Sequence, residues 1–332
     1  MKISNIAING FGRIGKQFLI AALESKKRYN FFINDPAEIE FIVYSLTHDS
    51  VHPILKKVRH DGKNIFIRKR KIPIYHELNP EKLPWKKNKI DVVVECTGLF
   101  THKKDAKKHL KAGAKKVLIS APGKEVDATI VYGINHTKLK DEKIISAGSC
   151  TTNAVAPLVK ILNDKFKIKN SYFLTTHAYT STQSLIDGHN KKSFVRGRAA
   201  AQNIIPTTSG ASVSVVEAIP ELKGKLDGYA LRVPVVDGSF VNVVAELEKK
   251  TKTKEIDLAF QKMSKGKMKE ILEYSKDSLV STDIINNKNS CIFDSRFTKF
   301  QGDLVCVGAW YDSEYGYSHR LVNVLDEILK RK

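Results

Sequence analysis

An α/β chain of two domains, the first a doubly wound parallel sheet of Rossmann type, is the fold this sequence predicts. Three observations carry the expectation. A short apolar strand runs into Asn9-Gly10-Phe11-Gly12-Arg13-Ile14-Gly15 and then into a helical pattern. Strand-like and helix-like segments go on alternating through the first half of the chain, the order that builds a parallel sheet. Finally, 332 residues are long for a single core and suit two.

The elements follow in order. Ile6-Ala7-Ile8 forms the core of the first strand, and Phe18, Leu19, Ala22 and Leu23 mark the apolar side of the helix after it. Gly10, Gly12 and Gly15 between them fit G-x-G-x-x-G. One glycine makes the tight turn, one lets backbone approach a pyrophosphate, and one packs helix on strand. A second strand, Phe31-Phe32-Ile33, ends in Asn34-Asp35, where an acidic group would bind the adenosine ribose diol. A carboxylate there repels the extra phosphate of NADP, and Pro36-Ala37-Glu38 offers no cation to receive it, so NAD is the expected cofactor. Asn64 to Tyr75, alternating and basic, reads as an exposed hairpin inserted in the sheet. Ile90 to Gly98 reads as a buried parallel strand ending in glycine, followed by a Lys-rich helix near His102–Ala112 and a strand at Val117–Ser120. Two more strands are expected near Ala128–Tyr132 and Lys143–Ser146.

Composition bounds the function classes. Hydrophobic residues make up 42% and charged residues 27%, the balance of an ordinary globular protein. No apolar run approaches a membrane span, and the strand-like Ile3–Asn9 leaves no room for a signal peptide. Cys96, Cys150, Cys291 and Cys306 are scattered without a CxxC pair, which argues against a zinc site or disulfide framework and for a reducing cytoplasm. The net charge of +21 is spread mostly as Lys pairs, and only Arg68-Lys69-Arg70-Lys71 makes a longer run. No basic motif interleaved with aromatics appears, so nucleic acid is not the expected primary partner; the field would still attract small anionic substrates.

The second half supplies chemistry. Ser149-Cys150-Thr151-Thr152-Asn153 puts a cysteine just before the apolar helical run Ala154–Leu162. Backbone N–H groups and the helix dipole favour an anion there, so this thiol is expected to ionise more easily than a free one. The hydroxyls of Ser149 and Thr151 beside it could hold a phosphate or an oxyanion. Further on, the strand Tyr172-Phe173-Leu174 ends in Thr175-Thr176-His177-Ala178-Tyr179-Thr180. A histidine at a strand end near a nucleophilic cysteine could take the thiol proton and then serve as acid and base. Arg232 sits between apolar Leu231 and Val233, a setting for a buried anion partner.

These stretches, with Arg198-Ala199-Ala200-Ala201, Ile204 to Ala211, Pro220 to Leu226, Leu231 to Pro234 and Trp310 to Ser318, occur in one order. Together they closely resemble phosphorylating glyceraldehyde-3-phosphate dehydrogenase along nearly the whole chain. The resemblance implies a dinucleotide-binding domain over residues 1–149, joined by a C-terminal helix at 316–332. It also implies an α+β catalytic domain over 150–315 with a mostly antiparallel sheet. It makes Cys150 the nucleophile and His177 the base in the NAD-dependent oxidation of glyceraldehyde 3-phosphate. That oxidation passes through a thioester, which inorganic phosphate releases as 1,3-bisphosphoglycerate.

By the same resemblance, Thr180, Arg196 and Arg232 would hold the substrate phosphate. Ser149, Thr151, Ser209, Gly210 and again Arg232 would hold the attacking one. Gly10, Gly12, Arg13, Ile14, Asp35, Ser120 and Ser313 would contact NAD. The long polar segment from Ala178 to Ala201 would pack at a subunit interface of a homotetramer, and the amphipathic helix Arg320–Leu329 would return to the dinucleotide domain. Ser313 replaces the family's usual Asn at the nicotinamide, which predicts weaker NAD affinity; Ser209 replaces Thr, Thr182 stands where many bacterial relatives have Asp, Ala154 replaces a second cysteine, and Leu78 falls near a cofactor-facing Arg. Erythrose-4-phosphate dehydrogenase shares the cysteine, but Thr180, Ser209 and Gly210 favour the three-carbon substrate. A hydrolytic aldehyde dehydrogenase or a polyanion-binding role are the other readings.

Overall fold

Parallel pairing begins at the first strand, which has a neighbour on each side and whose Ile6, Ala7 and Ile8 are buried on both faces. The computed structural model describes residues 3–190 and 193–331, so Lys191 and Lys192 of the long polar segment and Lys332 of the C-terminal helix expected over 316–332 lie outside the described residues. The chain divides into two units. One runs to Tyr132, resumes over His136–Gly148 and takes in the chain from Ser318; the other holds Gly133–Asn135 and Ser149–Tyr317.

The first unit is built on β1 (Ser4–Asn9), α1 (Arg13–Glu24), β2 (Tyr29–Asn34), α2 (Ile39–Thr47), β3 (Val58–His60), β4 (Asn64–Ile67), β5 (Arg70–Tyr75), β6 (Val92–Glu95), α3 (Lys103–Lys111), β7 (Lys116–Ile119), β8 (Ala128–Thr129) and β9 (Ile144–Ser146). Its nine strands lie in the order β3-β4-β5-β2-β1-β6-β7-β9-β8. β1 pairs in parallel with both β2 and β6, putting Asn9 beside Asn34 on one side and Glu95 on the other. The strand order reverses about β1, which makes the carboxyl ends of β1, β2 and β6 a topological switch point, the usual place for a nucleotide.

Lys103–Lys111 is helical despite five lysines because Ala106 and His109 face inward while the lysines stay on the water side. The hairpin of β4 and β5 departs from its expected exposure. β5 joins the main sheet beside β2, and Ile65, Ile67, Ile72 and Ile74 are buried, so its alternation is that of a strand pair with one face in the core.

The second unit contains α4 (Cys150–Phe166), β10 (Ile168–Ala178), β11 (Ile205–Thr208), α5 (Ala211–Ala218), β12 (Leu226–Val233), β13 (Ser239–Leu247), α6 (Thr253–Lys265), β14 (Leu272–Ser275), α7 (Ser281–Ile284), β15 (Cys291–Gln301) and β16 (Leu304–Tyr311). Its seven strands run β11-β12-β10-β13-β16-β15-β14. Only β10 with β12 and β14 with β15 pair in parallel, so the sheet is largely antiparallel. The last helix, α8 (Tyr315–Lys330), passes from this unit back to the first. Within the first unit its Asp326 accepts from Tyr29 and pairs with Lys27 at 3.1 Å, while Leu321, Val324, Leu325 and Ile328 are buried.

Candidate active site

The helix that carries the cysteine starts at it and is capped by the residue before. Ser149 caps α4: its hydroxyl accepts from the Thr152 N–H at 3.0 Å, and the Thr152 hydroxyl accepts from the Ser149 N–H at 3.0 Å. This reciprocal cap sets Cys150 on the first turn, where unpaired N–H groups gather. The histidine arrives from the sheet. β10 and β12 run parallel with His177 opposite Arg232, so the two side chains meet by register. Cys150 Sγ lies 3.4 Å from His177 Nε2, with the histidine buried and the cysteine half-buried.

His177 Nδ1 has two neighbours, the Ala178 carbonyl at 2.7 Å and Arg232 Nη1 at 2.9 Å. Arg232 Nη1 also donates to the Ala178 carbonyl at 3.0 Å. With its proton on Nδ1 the ring donates to Ala178 and turns an Nε2 lone pair toward the sulfur. With its proton on Nε2 it accepts from Arg232 and faces the sulfur as a donor. Each tautomer finds a partner, which suits a group that must take a proton and return it.

The electrostatics oppose the expectation of ready ionisation. Burial pushes the Cys150 thiol above its ordinary value, and the nearby Arg232 guanidinium and the Thr151 N–H and hydroxyl offset only part of it. Burial first, then Arg232 and Arg196, hold His177 well below the usual imidazole range. Both shifts run against the charged forms, so burial favours thiol and neutral imidazole over an ion pair. A helix start is legible in the sequence, but the desolvation that outweighs it is not.

Arg232 has no carboxylate partner in these contacts, and its buried Nε has no hydrogen-bond partner at all. A cationic donor kept dry and unfilled fits an anion site. Arg196, on a short turn at Val195–Gly197, reinforces the positive field at His177 and Arg232. Thr180, just past β10, shares its hydroxyl with Thr182 at 2.8 Å. Ser209 and Gly210 lie before the first residue of α5, with the Ser209 hydroxyl accepting from the Ala211 N–H at 3.3 Å. Thr151 is buried and its hydroxyl meets Tyr311 at 3.0 Å.

In the first unit, Gly10 adopts φ +88, and a Cβ there would strike the Thr97 nitrogen at 2.7 Å. Gly12 precedes α1, and a Cβ on it would meet nothing within 4 Å, leaving its backbone open to a neighbour. Arg13 and Ile14 are the first residues of α1. Asp35 follows β2, accepting from the Phe11 and Ala37 N–H groups at 2.6 and 2.9 Å, which ties the acidic position to the glycine loop. Ser120, after β7, donates to the Glu95 carbonyl at 2.9 Å. Open glycine backbone, a helix start and a carboxylate at one set of strand ends fit a dinucleotide. Ser313 belongs to the second unit, buried, with its hydroxyl 2.7 Å from that of Ser239 and its N–H on Asp237 at 3.0 Å.

Three contributors carry no separate signal in the sequence. Tyr311 touches Thr151 and Thr175 through its hydroxyl and stands edge-on to the His177 ring at 5.8 Å. The Ala178 carbonyl orients the imidazole, and Ser239 holds both the Ala178 N–H and the Ser313 hydroxyl. Tyr311 and Ser239 act through contacts between distant parts of the chain, and the Ala178 carbonyl acts on the residue beside it.

Two family models match. Residues 4–103 match the glyceraldehyde 3-phosphate dehydrogenase NAD binding domain, and residues 149–313 match the C-terminal domain of the same family. Among curated proteins, the chain is 44% identical over 330 residues to glyceraldehyde-3-phosphate dehydrogenase 1 of Bacillus subtilis (strain 168), covering 98% of each. It is 42% identical over 327 residues to glyceraldehyde-3-phosphate dehydrogenase 1 of Kluyveromyces marxianus, covering 98% of this chain and 99% of the other. It is 44% identical over 325 residues to the glyceraldehyde-3-phosphate dehydrogenase of Streptomyces coelicolor, covering 96% of each.

Proposed function

The chain belongs to the glyceraldehyde-3-phosphate dehydrogenase family, and from that premise we infer the phosphorylating, NAD-dependent reaction: glyceraldehyde 3-phosphate and inorganic phosphate to 1,3-bisphosphoglycerate. The observation that carries the reading is the pairing of Cys150 Sγ, on the first turn of a helix, with the buried His177 Nε2 at 3.4 Å.

The steps follow from these groups. His177 Nε2 takes the thiol proton as the sulfur adds to the aldehyde carbon, and the proton passes to the new oxygen, giving a hemithioacetal. His177 then removes that hydroxyl proton as the carbon is oxidised to a Cys150 thioester. NAD, when bound, supplies the hydride acceptor. Phosphate attacks the thioester carbon and the thiolate departs, regaining a proton from His177. Arg232 would serve both anion roles: its Nη1 meets His177 Nδ1 and the Ala178 carbonyl, and its buried Nε is an unfilled donor. Thr180 and Arg196 complete the substrate phosphate site in this reading, and Ser149, Thr151, Ser209 and Gly210 that of the attacking phosphate. Gly10, Gly12, Arg13, Ile14, Asp35, Ser120 and Ser313 would hold NAD.

A homo-oligomer, a tetramer by family pattern, is supported by apolar side chains on the polar segment: Phe194 is 93% exposed, with Leu185 and Ile186 at 75% and 76%. Light scattering should give a mass several times the 37.3 kDa chain, reduced by Phe194→Glu. Among the described residues no helix is long and apolar enough to cross a membrane. A cytoplasmic setting is supported by the free thiols of Cys96, Cys150, Cys291 and Cys306.

The decisive assay is NADH formation from glyceraldehyde 3-phosphate with and without phosphate, beside Cys150→Ala. Phosphate-dependent turnover that disappears in the variant is expected. Turnover indifferent to phosphate would mean a hydrolytic enzyme, and a higher rate on erythrose 4-phosphate would reassign the substrate.

A further inference from the structure

One buried carboxylate in the first unit collects four donors. Glu95, the last residue of β6, is 1% exposed. Its Oε1 accepts from the Thr97 N–H at 2.7 Å and from the Thr97 hydroxyl. Its Oε2 accepts from Asn9 Nδ2 at 2.6 Å and lies 3.0 Å from His109 Nε2. On the far side of the imidazole, Trp85 Nε1 donates to His109 Nδ1 at 3.1 Å. An indole N–H can only donate, so Nδ1 carries the lone pair, Nε2 carries the proton, and Nε2–H donates to Glu95. The tautomer of this histidine is thus fixed by its neighbours. Asn9 Nδ2 and His109 Nε2 stand 3.4 Å apart because both converge on one oxygen.

The chain of bonds continues toward the nucleotide end of the sheet. Asn9 Oδ1 accepts from Asn34 Nδ2 at 2.7 Å, and Asn34 exchanges bonds with the Glu77 backbone at 2.8 and 2.9 Å. Asn9, Asn34 and Glu95 are the terminal residues of β1, β2 and β6. The turn held by Thr97 is the backbone that closes over Gly10, where even a methyl group would collide. Hydrophobic residues of similar volume would fill this space without the cost of burying a charge. What they would not do is set the three strand ends and the 97–98 turn in one arrangement.

We propose that Glu95 and His109 are positioning residues for NAD, acting through Asn9 and Thr97 to fix the glycine loop in its binding shape. The proposal rests on the reading of the chain as an NAD-dependent dehydrogenase. Glu95→Gln presents an amide N–H₂ to donors whichever way it turns, and His109→Leu leaves the indole without an acceptor and the carboxylate with one donor fewer. His109→Gln is the conservative variant, able to accept from Trp85 and donate to Glu95.

The experiment is calorimetric titration of the full-length protein with NAD, alongside the rate at which iodoacetamide alkylates Cys150 in the absence of cofactor. NAD Kd should rise about tenfold in Glu95→Gln and in His109→Leu, and recover to within about threefold of wild type in His109→Gln, with alkylation unchanged. Thr97→Val, which removes one donor to Glu95 and the acceptor of the Leu99 N–H, serves if the larger changes unfold the chain, and should weaken NAD in the same direction. Unchanged NAD affinity in folded variants, or equal losses in NAD affinity and Cys150 reactivity, would overturn the positioning role. Wild-type protein that takes up no NAD would instead sink the dehydrogenase reading itself.

Discussion

Gly15→Ala is the sharpest test of the glycine loop, because the collision it creates is with backbone. A Cβ at Gly15 would lie 2.1 Å from the Gly10 carbonyl oxygen, 3.1 Å from its carbon and 3.3 Å from Ile8 Cγ2. Carbon and oxygen tolerate roughly 3.2 Å at closest, so loop and helix must part by about 1 Å. Alanine would otherwise favour α1 by up to about 1 kcal/mol over glycine. Overpacking of this kind costs about 1–3 kcal/mol, so the net change is destabilising. The larger effect falls on binding, since a shift of about 1 Å in a positioning element can cost on the order of a hundredfold. NAD titration by calorimetry reads it directly, with Cys150 alkylation as the control for the second unit. An alanine variant that binds NAD within about twofold of wild type would refute the close approach of Gly10 and Gly15 as the reason for glycine there.

Other outcomes follow from the same contacts. His177→Asn should lower turnover by about a hundredfold to ten-thousandfold while leaving NAD binding intact, as steady-state rates and titration will show. Ser313→Asn should tighten NAD by about threefold or more, since the longer amide can reach beyond Ser239; no gain in affinity would count against the reading of Ser313 as a weakened cofactor contact. Asp49 responds to acid: burial raises its pKa, but Lys16 and the N–H groups of Val51 and His52 outweigh burial and bring it down to about 2. A depressed carboxylate contributes stability above its unfolded value of 3.8 that is lost as pH falls toward 2, so denaturant unfolding should lose about 2 kcal/mol across that window, and Asp49→Asn should flatten the loss.

The sequence made the first unit legible because its signals are local. Strand, glycine turn, helix and acid lie within a few dozen residues, and each has one reading in that context. The reactive cysteine was legible for the same reason, as a capped helix start. What stayed hidden depends on register and burial. Arg232 reaches His177 only because β10 and β12 align those two residues, and nothing within either segment encodes the pairing. The thiol's resistance to ionisation arises from the surrounding protein rather than from neighbours in sequence. The Glu95 network joins residues up to a hundred positions apart, so Asn9, Trp85 and His109 look unrelated until the strands are laid side by side. The hairpin misled in the opposite way: its polar, basic alternation is real, but its isoleucines face a core that only β2 supplies.

The return of α8 to the first unit bears on how the protein is made. Leu321, Val324, Leu325 and Ile328 follow the whole second unit in the chain, yet they complete the core of the unit synthesised first. Until they emerge, a nascent chain that already has β1 to β9 must carry an uncovered apolar surface and an unpaired Tyr29. The amino-terminal unit therefore matures only after the second has been translated. A chain released before Ser318 would hold two nearly whole units, of which the first is the one exposed to chaperones and proteases.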